Sequence, residues 1–161
     1  MRDVLKAPGV DCYVLQLGIN DLRNSRFEDE LRHQDPVLAA EECIETLLQT
    51  CKSAKIAVSL PTPTPGERMK PLNSRVEQFN NTLNKWIYDR RNTSSDIRGR
   101  LFVINNISFK TCKQIGKPCP FKSDMLHVNE YGFKKLCLNI KYGIFNAFRI
   151  PIPQNSNKKQ S

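Results

Sequence analysis

Two short polar segments carry the residues that are best suited to chemistry in this chain. One covers residues 18–21, directly after the apolar run at residues 14–17, and the other covers residues 124–127. The carboxamide of Asn20 could donate a hydrogen bond to a developing oxyanion. Asp124, three residues before His127, could hold one imidazole nitrogen and leave the other to act as a general base. The two segments together predict an oxyanion donor and an acid–base pair.

Each segment also has a purely structural explanation. An asparagine and an aspartate after a glycine are ordinary turn residues. Asp124 could simply cap the helix that follows, beside an exposed histidine. The chain has two histidines, and we expect no functional role for the other one, His33, which lies in a polar stretch next to Asp35.

The apolar runs predict the elements that would position these residues. Continuous apolar runs cover residues 13–17, 56–60 and 101–104, and each is followed by apolar residues at helical spacing. Strands of this kind, joined by helices, form a parallel sheet that is covered on both faces. Polar groups that follow such strands reach the crevice outside their carboxyl ends. The sequence therefore predicts an α/β fold with the candidate site at that edge.

Capping residues set the expected helix starts. Asp35, Ser74 and Asn129 are the predicted N-caps of the three helices. Residues 92–99 are expected to form a polar linker, and residues 105–123 a loop.

Composition limits the classes of protein to which the chain can belong. Its 161 residues fit one domain, which we place at residues 1–150, with a polar, disordered tail at residues 151–161. No run of about 18 apolar residues that would predict a membrane span is present. Residues 1–10 do not form a secretory signal. A cytoplasmic location is therefore favoured over secretion, and the oligomeric state is left open.

The net charge of +9 could suggest a nucleic-acid partner. The densest basic group comprises Arg90, Arg91, Arg98 and Arg100. No aromatic residue is interleaved there to stack on bases. We therefore expect a solvated basic surface rather than a nucleic-acid-binding one.

The six cysteines do not follow the spacing of a metal or disulfide framework. No Cys-x-x-Cys pair exists, which argues against a zinc ribbon or a thioredoxin-like site. Cys112 and Cys119 bracket one loop and could pair in an oxidising compartment. Glycosylation-type triplets at Asn80, Asn92 and Asn106 would fit secretion, but such triplets arise easily by chance. Free thiols are the expected state, and no cofactor or metal is implied.

The two polar segments, in this order within a parallel α/β chain, resemble the SGNH (GDSL-type) hydrolase family. Residues 18–21 match its Gly-x-Asn-Asp block, and residues 124–129 with Gly132 match its Asp-x-x-His block. The resemblance covers roughly residues 10–148. It implies a three-layer α/β/α, flavodoxin-like sandwich that lacks the family's first strands.

The resemblance also implies roles for individual residues. Asn20 would be the oxyanion donor, His127 the general base and Asp124 its orienting partner, while Gly18 and Asp21 would shape the oxyanion loop. The implied substrate is a carboxylic ester, with an acyl or acetyl group on a small molecule, a lipid or a glycan.

One family block has no counterpart. The family's nucleophilic serine lies in a Gly-Asp-Ser block before the Gly-x-Asn-Asp block, whereas residues 1–17 contain no serine. Ser59 lies within an apolar strand and Ser123 lies beside Asp124, so neither sits in a strand-to-helix elbow. We therefore expect an incomplete gene product in which acyl transfer fails. The strand at residues 13–17 would be left as an open edge.

Two other classes of function are the alternatives. The first is a hydrolase-derived module that binds a ligand without catalysis. The second, less favoured, is a basic nucleic-acid-binding domain.

Overall fold

Three parallel strands form the sheet at the centre of the structure. The computed structural model describes residues 9–16, 22, 34–64, 69–109 and 118–151. The strands, in spatial order, are β1 (Cys12–Gln16), β2 (Lys55–Ser59) and β3 (Leu101–Ile104). The helices are α1 (Gln34–Thr50), α2 (Lys70–Asn92), α3 (Ser95–Arg100) and α4 (Glu130–Phe148), and a 3-10 turn covers Ile107–Phe109. The molecule is thus an α/β protein with helices packed around a parallel sheet, consistent with the flavodoxin-like architecture.

One face of the sheet packs against α1 and α2. Successive side chains of a strand point to opposite faces, and Ile56, Val58 and Leu101 point towards these two helices, where they are buried in the main hydrophobic cluster. The helices contribute Val37, Ala40, Cys43, Ile44, Leu47 and Leu48 from α1, and Leu72, Val76, Phe79, Leu83 and Ile87 from α2. Each large apolar side chain that is fully buried contributes about 1.5–3 kcal/mol, so this cluster is the main source of stability.

The opposite face of the sheet is covered by α4 over β2 and β3. The approach is close, since a Cβ atom on Gly143 would lie 2.5 Å from Cγ1 of Ile104. Within the described residues β1 pairs with β2 alone. Val14, which lies on this face, is 37% exposed. The sheet is therefore well covered at β2 and β3 and least covered at β1.

Two of the predicted helix starts are wrong. α1 begins at Gln34, so Asp35 lies inside its first turn rather than at its N-cap. α2 begins at Lys70, four residues before Ser74, and no side chain caps it. Proline is favoured in the first turn of a helix, and Pro71 together with the buried Leu72 extends the helix towards its N-terminus.

The expected linker at residues 92–99 is also wrong in part, because α3 forms there. The hydroxyl of Ser94 accepts hydrogen bonds from the N–H groups of Asp96 and Ile97, at 3.2 and 3.5 Å. Serine is a strong N-cap, so this short helix has a local cause. No helix in the described part of the chain has both the length and the apolar character needed to cross a bilayer.

Candidate acid–base site

A short antiparallel hairpin leads into α4 and carries the candidate acid–base pair. Phe121 and Val128 are bridged across it, and the N–H of Lys122 donates to the carbonyl of His127 at 2.8 Å. The N–H of Met125 donates to the carbonyl of Lys122 at 2.9 Å and closes the turn. Met125 has φ 57°, a left-handed conformation that residues other than glycine rarely adopt. The turn therefore holds a backbone shape that its sequence does not favour.

Asn129 ties the hairpin to α4 with both ends of its carboxamide. Its Nδ2 donates to the carbonyls of Cys119 and Phe121, at 2.7 and 3.0 Å. Its Oδ1 accepts from the N–H of Gly132 at 2.9 Å, which confirms the predicted N-cap. A Cβ atom on Gly132 would lie 2.0 Å from the carbonyl oxygen of Pro120. Only glycine lets the hairpin pack this closely on the helix.

The base of the hairpin also carries a covalent link. Cys119 is disulfide-bonded, so the expectation of a free thiol is wrong at this position. The partner considered for it, Cys112, lies outside the described residues. The remaining cysteines, Cys12, Cys43, Cys51 and Cys137, form no disulfide.

The candidate pair itself is well formed and open to solvent. Oδ2 of Asp124 lies 2.6 Å from Nδ1 of His127. Because an ionised carboxylate can only accept, the proton of this hydrogen bond belongs to Nδ1. The two side chains are 47% and 63% exposed, respectively, and the described residues offer no hydrogen-bond partner to Nε2. Nε2 lies on the other side of the ring from this hydrogen bond, in a side chain that is largely exposed.

The second oxygen of Asp124 shapes the loop. Oδ1 accepts from the N–H groups of Leu126 and His127, each at 3.0 Å. The hydrogen bond from His127, and then these two backbone hydrogen bonds, hold the pKa of the Asp124 carboxyl well below its usual value. The carboxylate therefore stays ionised and orients the imidazole.

The oxyanion segment cannot be placed against this pair. Gly18, Asn20 and Asp21 lie outside the described residues, as does His33. Leu22, the residue after Asp21, is fully buried in the main hydrophobic cluster. Leu126 packs against the same cluster. Leu22, directly after residues 18–21, and Leu126, within residues 124–127, therefore pack in the same hydrophobic core.

No described serine is hydrogen-bonded to His127. Ser59 is fully buried, and its hydroxyl oxygen accepts from Nδ2 of Asn106 at 3.0 Å. The same Nδ2 donates to the carbonyl of Leu60 at 2.6 Å, and Oδ1 of Asn106 accepts from Nδ2 of Asn139 at 3.0 Å. This network joins β2, α4 and the segment after β3. Sequence reasoning missed it, and it makes Ser59 a structural residue.

No family model and no curated protein matches this chain. Within residues 9–16, 22, 34–64, 69–109 and 118–151, no group of three or more His, Cys, Asp or Glu side chains is arranged to hold a metal ion. The chemistry of the site is therefore interpreted from the geometry of the Asp124–His127 pair and from the residues around it.

Proposed function

We propose that this chain is an SGNH-type hydrolase-like domain that acts on carboxylic esters, with Asp124 and His127 as its acid–base pair. The observation that carries the proposal is the 2.6 Å hydrogen bond from Nδ1 of His127 to Asp124, which leaves the opposite nitrogen without a hydrogen-bond partner among the described residues. The Gly-x-Asn-Asp segment at residues 18–21 supports it as a source of the oxyanion donor.

Each residue would have a defined role in ester cleavage. Nε2 of His127 takes the proton of the attacking oxygen and later returns it to the leaving alkoxide. Asp124 fixes the imidazole in the productive tautomer and stabilises the imidazolium that forms. The carboxamide of Asn20 donates to the oxyanion of the tetrahedral intermediate.

The nucleophile that we assign to His127 in these 161 residues is water. Residues 1–17 contain no serine, and no described serine is hydrogen-bonded to the imidazole. A triad without its nucleophile retains about 10³- to 10⁴-fold catalysis over water, from the oxyanion hole and from substrate binding. We therefore expect slow hydrolysis, far below the rate of an intact triad.

Hydrolysis of p-nitrophenyl acetate tests the proposal. His127→Ala should abolish the rate that depends on the protein, and Asp124→Asn should lower it because the imidazole loses its orienting partner. The chain has one other histidine, so His33→Ala is a matched control that removes an imidazole elsewhere and should leave the rate unchanged. Equal rates for the wild type and His127→Ala would show that His127 is not catalytic in this chain.

The alternative is a hydrolase-derived module that binds a ligand without turnover. The lack of a hydrogen bond from any described serine to His127 favours this alternative over an acyl-enzyme mechanism. Saturable binding of a glycan or lipid ester by folded protein, with no hydrolysis above background, would select it.

A further inference from the structure

A basic cleft of about 430 Å³ lies at the amino-terminal edge of the sheet. Four cationic side chains line it, each from a different element: Lys55 from the start of β2, Arg91 from α2, Arg98 from α3 and Arg149 after α4. None of the described residues that line it is an aspartate or a glutamate. The acid–base hairpin is at the other end of α4, about 28 Å away along the helix axis at a rise of about 1.5 Å per residue.

Among the described residues, these four charges have no ion-pair partner. None of them forms an ion pair in the described part of the chain, whereas the nearby Arg90 and Arg100 pair with Glu45 and Asp96. Like charges that line one cleft repel each other, and a cleft lined by one sign of charge concentrates ions of the opposite sign. The arrangement therefore favours an anionic ligand.

Aromatic rings hold two of the cations in place. Nζ of Lys55 lies 5.2 Å from the ring centroid of Phe102 and 5.1 Å from that of Phe148, and it donates to the carbonyl of Gly99 at 2.9 Å. Cζ of Arg91 lies 5.7 Å from the Phe102 centroid. Cation–π contacts of this length are attractive. Lys55 and Arg91 are thus held in position before any ligand binds.

One residue that lines the cleft carries a buried donor. Nε of Arg91 makes no hydrogen bond to any described residue and is shielded from solvent. A buried donor without a partner destabilises a protein unless something accepts from it. The guanidinium of Arg91 is therefore held by the ring of Phe102 and by no acceptor among the described residues.

A second cleft of about 420 Å³ adjoins the first and shares Arg91, Phe102 and Asn146 with it. It adds the exposed ring of Tyr88 and the carboxamide of Asn84. Both volumes fall within the range of small-molecule sites. The combined shape offers a charged end and a less charged, partly aromatic end.

We propose that these adjoining clefts, the phosphate cleft, bind a small organic phosphate. The four cations take the phosphoryl group, because guanidinium groups donate in the paired geometry that phosphate oxygens accept. The cleft around Tyr88 takes the organic part. This site does not depend on the proposed hydrolase function, since the two lie at opposite ends of α4.

The proposal is tested by titrating the full chain with phenyl phosphate at constant ionic strength. Two-dimensional NMR measures the binding. We expect phenyl phosphate to bind more tightly than inorganic phosphate, and to shift the Nε–H signal of Arg91. Arg91→Gln and Arg98→Gln should each weaken binding about tenfold, as expected when one charge-assisted hydrogen bond is lost. Lys134→Gln is the matched control, because it removes one exposed charge at the far end of α4 and should weaken binding less than about twofold.

Three results would overturn the proposal. The first is equal weakening by Lys134→Gln and Arg98→Gln. The second is binding of phenyl phosphate no tighter than that of chloride at the same ionic strength. The third is binding of a short thymidine oligonucleotide without binding of phenyl phosphate, which would assign the surface to nucleic acid. Arg98 is exposed, so its variant tests the cleft even where Arg91→Gln unfolds the protein by losing the contact with Phe102.

Discussion

Asp124 uses both of its carboxylate oxygens within its own hairpin. One oxygen orients the imidazole of His127, and the other accepts two backbone N–H groups. A rotation that freed either oxygen would break the contacts of the other. Asp124 therefore both orients the imidazole and stabilises the loop. Substitutions at Asp124 are expected to change both the chemistry and the loop conformation.

The acid titration of Asp124 should reveal this arrangement. Its pKa is lowered from the usual 3.8, first by the hydrogen bond from His127 and then by two backbone hydrogen bonds. Because the folded pKa lies below the unfolded one, the stability that this carboxylate contributes is complete above the unfolded pKa and is lost as the pH falls through the folded pKa. The difference in unfolding midpoint between the wild type and Asp124→Asn should therefore narrow in acid, below about pH 4.

The titration can be followed directly by carbon NMR of the carboxyl group. His127→Ala should raise the pKa of Asp124, since it removes the largest cause of the shift, whereas His33→Ala should leave it unchanged. An Asp124 pKa that stayed the same in His127→Ala would contradict the role of the pair.

Small residues let α4 approach its neighbours at two points. Gly132 lies against the carbonyl of Pro120, and Gly143 lies against the side chain of Ile104. The first contact positions the hairpin, and the second positions the helix on β3. The location of the acid–base pair relative to the sheet thus depends on residues that carry no functional group.

Gly132→Ala should destabilise the protein by about 1–3 kcal/mol, the usual cost of overpacking. A Cβ atom there would lie 2.0 Å from a backbone oxygen that cannot rotate away. Gly99→Ala is the matched control, since a Cβ atom there would meet nothing within 4 Å, and alanine is the better helix former. Urea unfolding of both variants measures the difference in their free energies of unfolding. Equal midpoints would show that the hairpin can shift without cost.

Asn106→Ala should destabilise the protein by about 1–3 kcal/mol, because it leaves the buried carbonyl of Leu60 without its donor. The double variant with Asn139→Ala should lose less than the sum of the two single losses, since the two carboxamides share a hydrogen bond. Additive losses in urea unfolding would mean that the two residues act independently. Asn106 is fully buried, so its triplet is not open to glycosylation in the folded chain.

Features that depend on neighbouring residues could be predicted from the sequence. The continuous apolar runs gave strands within a residue or two of their observed ends. The three-residue spacing of Asp124 and His127 allowed their contact but left a capping role for Asp124 open, and the structure shows the contact. The prediction of Ser74 as the N-cap of α2 was wrong because Pro71 and Leu72 start the helix earlier. A capping pattern thus competes with the residues before it. The Asn106 network and the phosphate cleft were not predicted, since each joins residues from several distant segments.

Of the two edge strands in the described sheet, β1 is less buried than β3. β1 pairs only with β2 among the described residues, and Val14 leaves 37% of its surface exposed. Unpaired apolar edges favour association between chains, and natural proteins often protect them with lysine. Self-association of this protein is therefore expected to begin at β1.

Val14→Lys should lower concentration-dependent association, measured by light scattering, with little change in the unfolding midpoint. Leu38→Lys is the matched control, because Leu38 is more exposed, at 56%, but lies on α1 away from the strand edge. Equal effects of the two substitutions would mean that net charge, rather than the edge, controls association.

The covalent link that the disulfide at Cys119 makes in the hairpin depends on the redox conditions around the protein. Glutathione and thioredoxin keep such bonds reduced in the cytosol, whereas oxidising compartments preserve them. Where the bond is reduced, the base of the hairpin loses one covalent restraint and keeps the hydrogen bonds of Asn129 to Cys119, Phe121 and Gly132. The compartment in which the chain resides would then decide whether the hairpin that carries the acid–base pair has this covalent restraint.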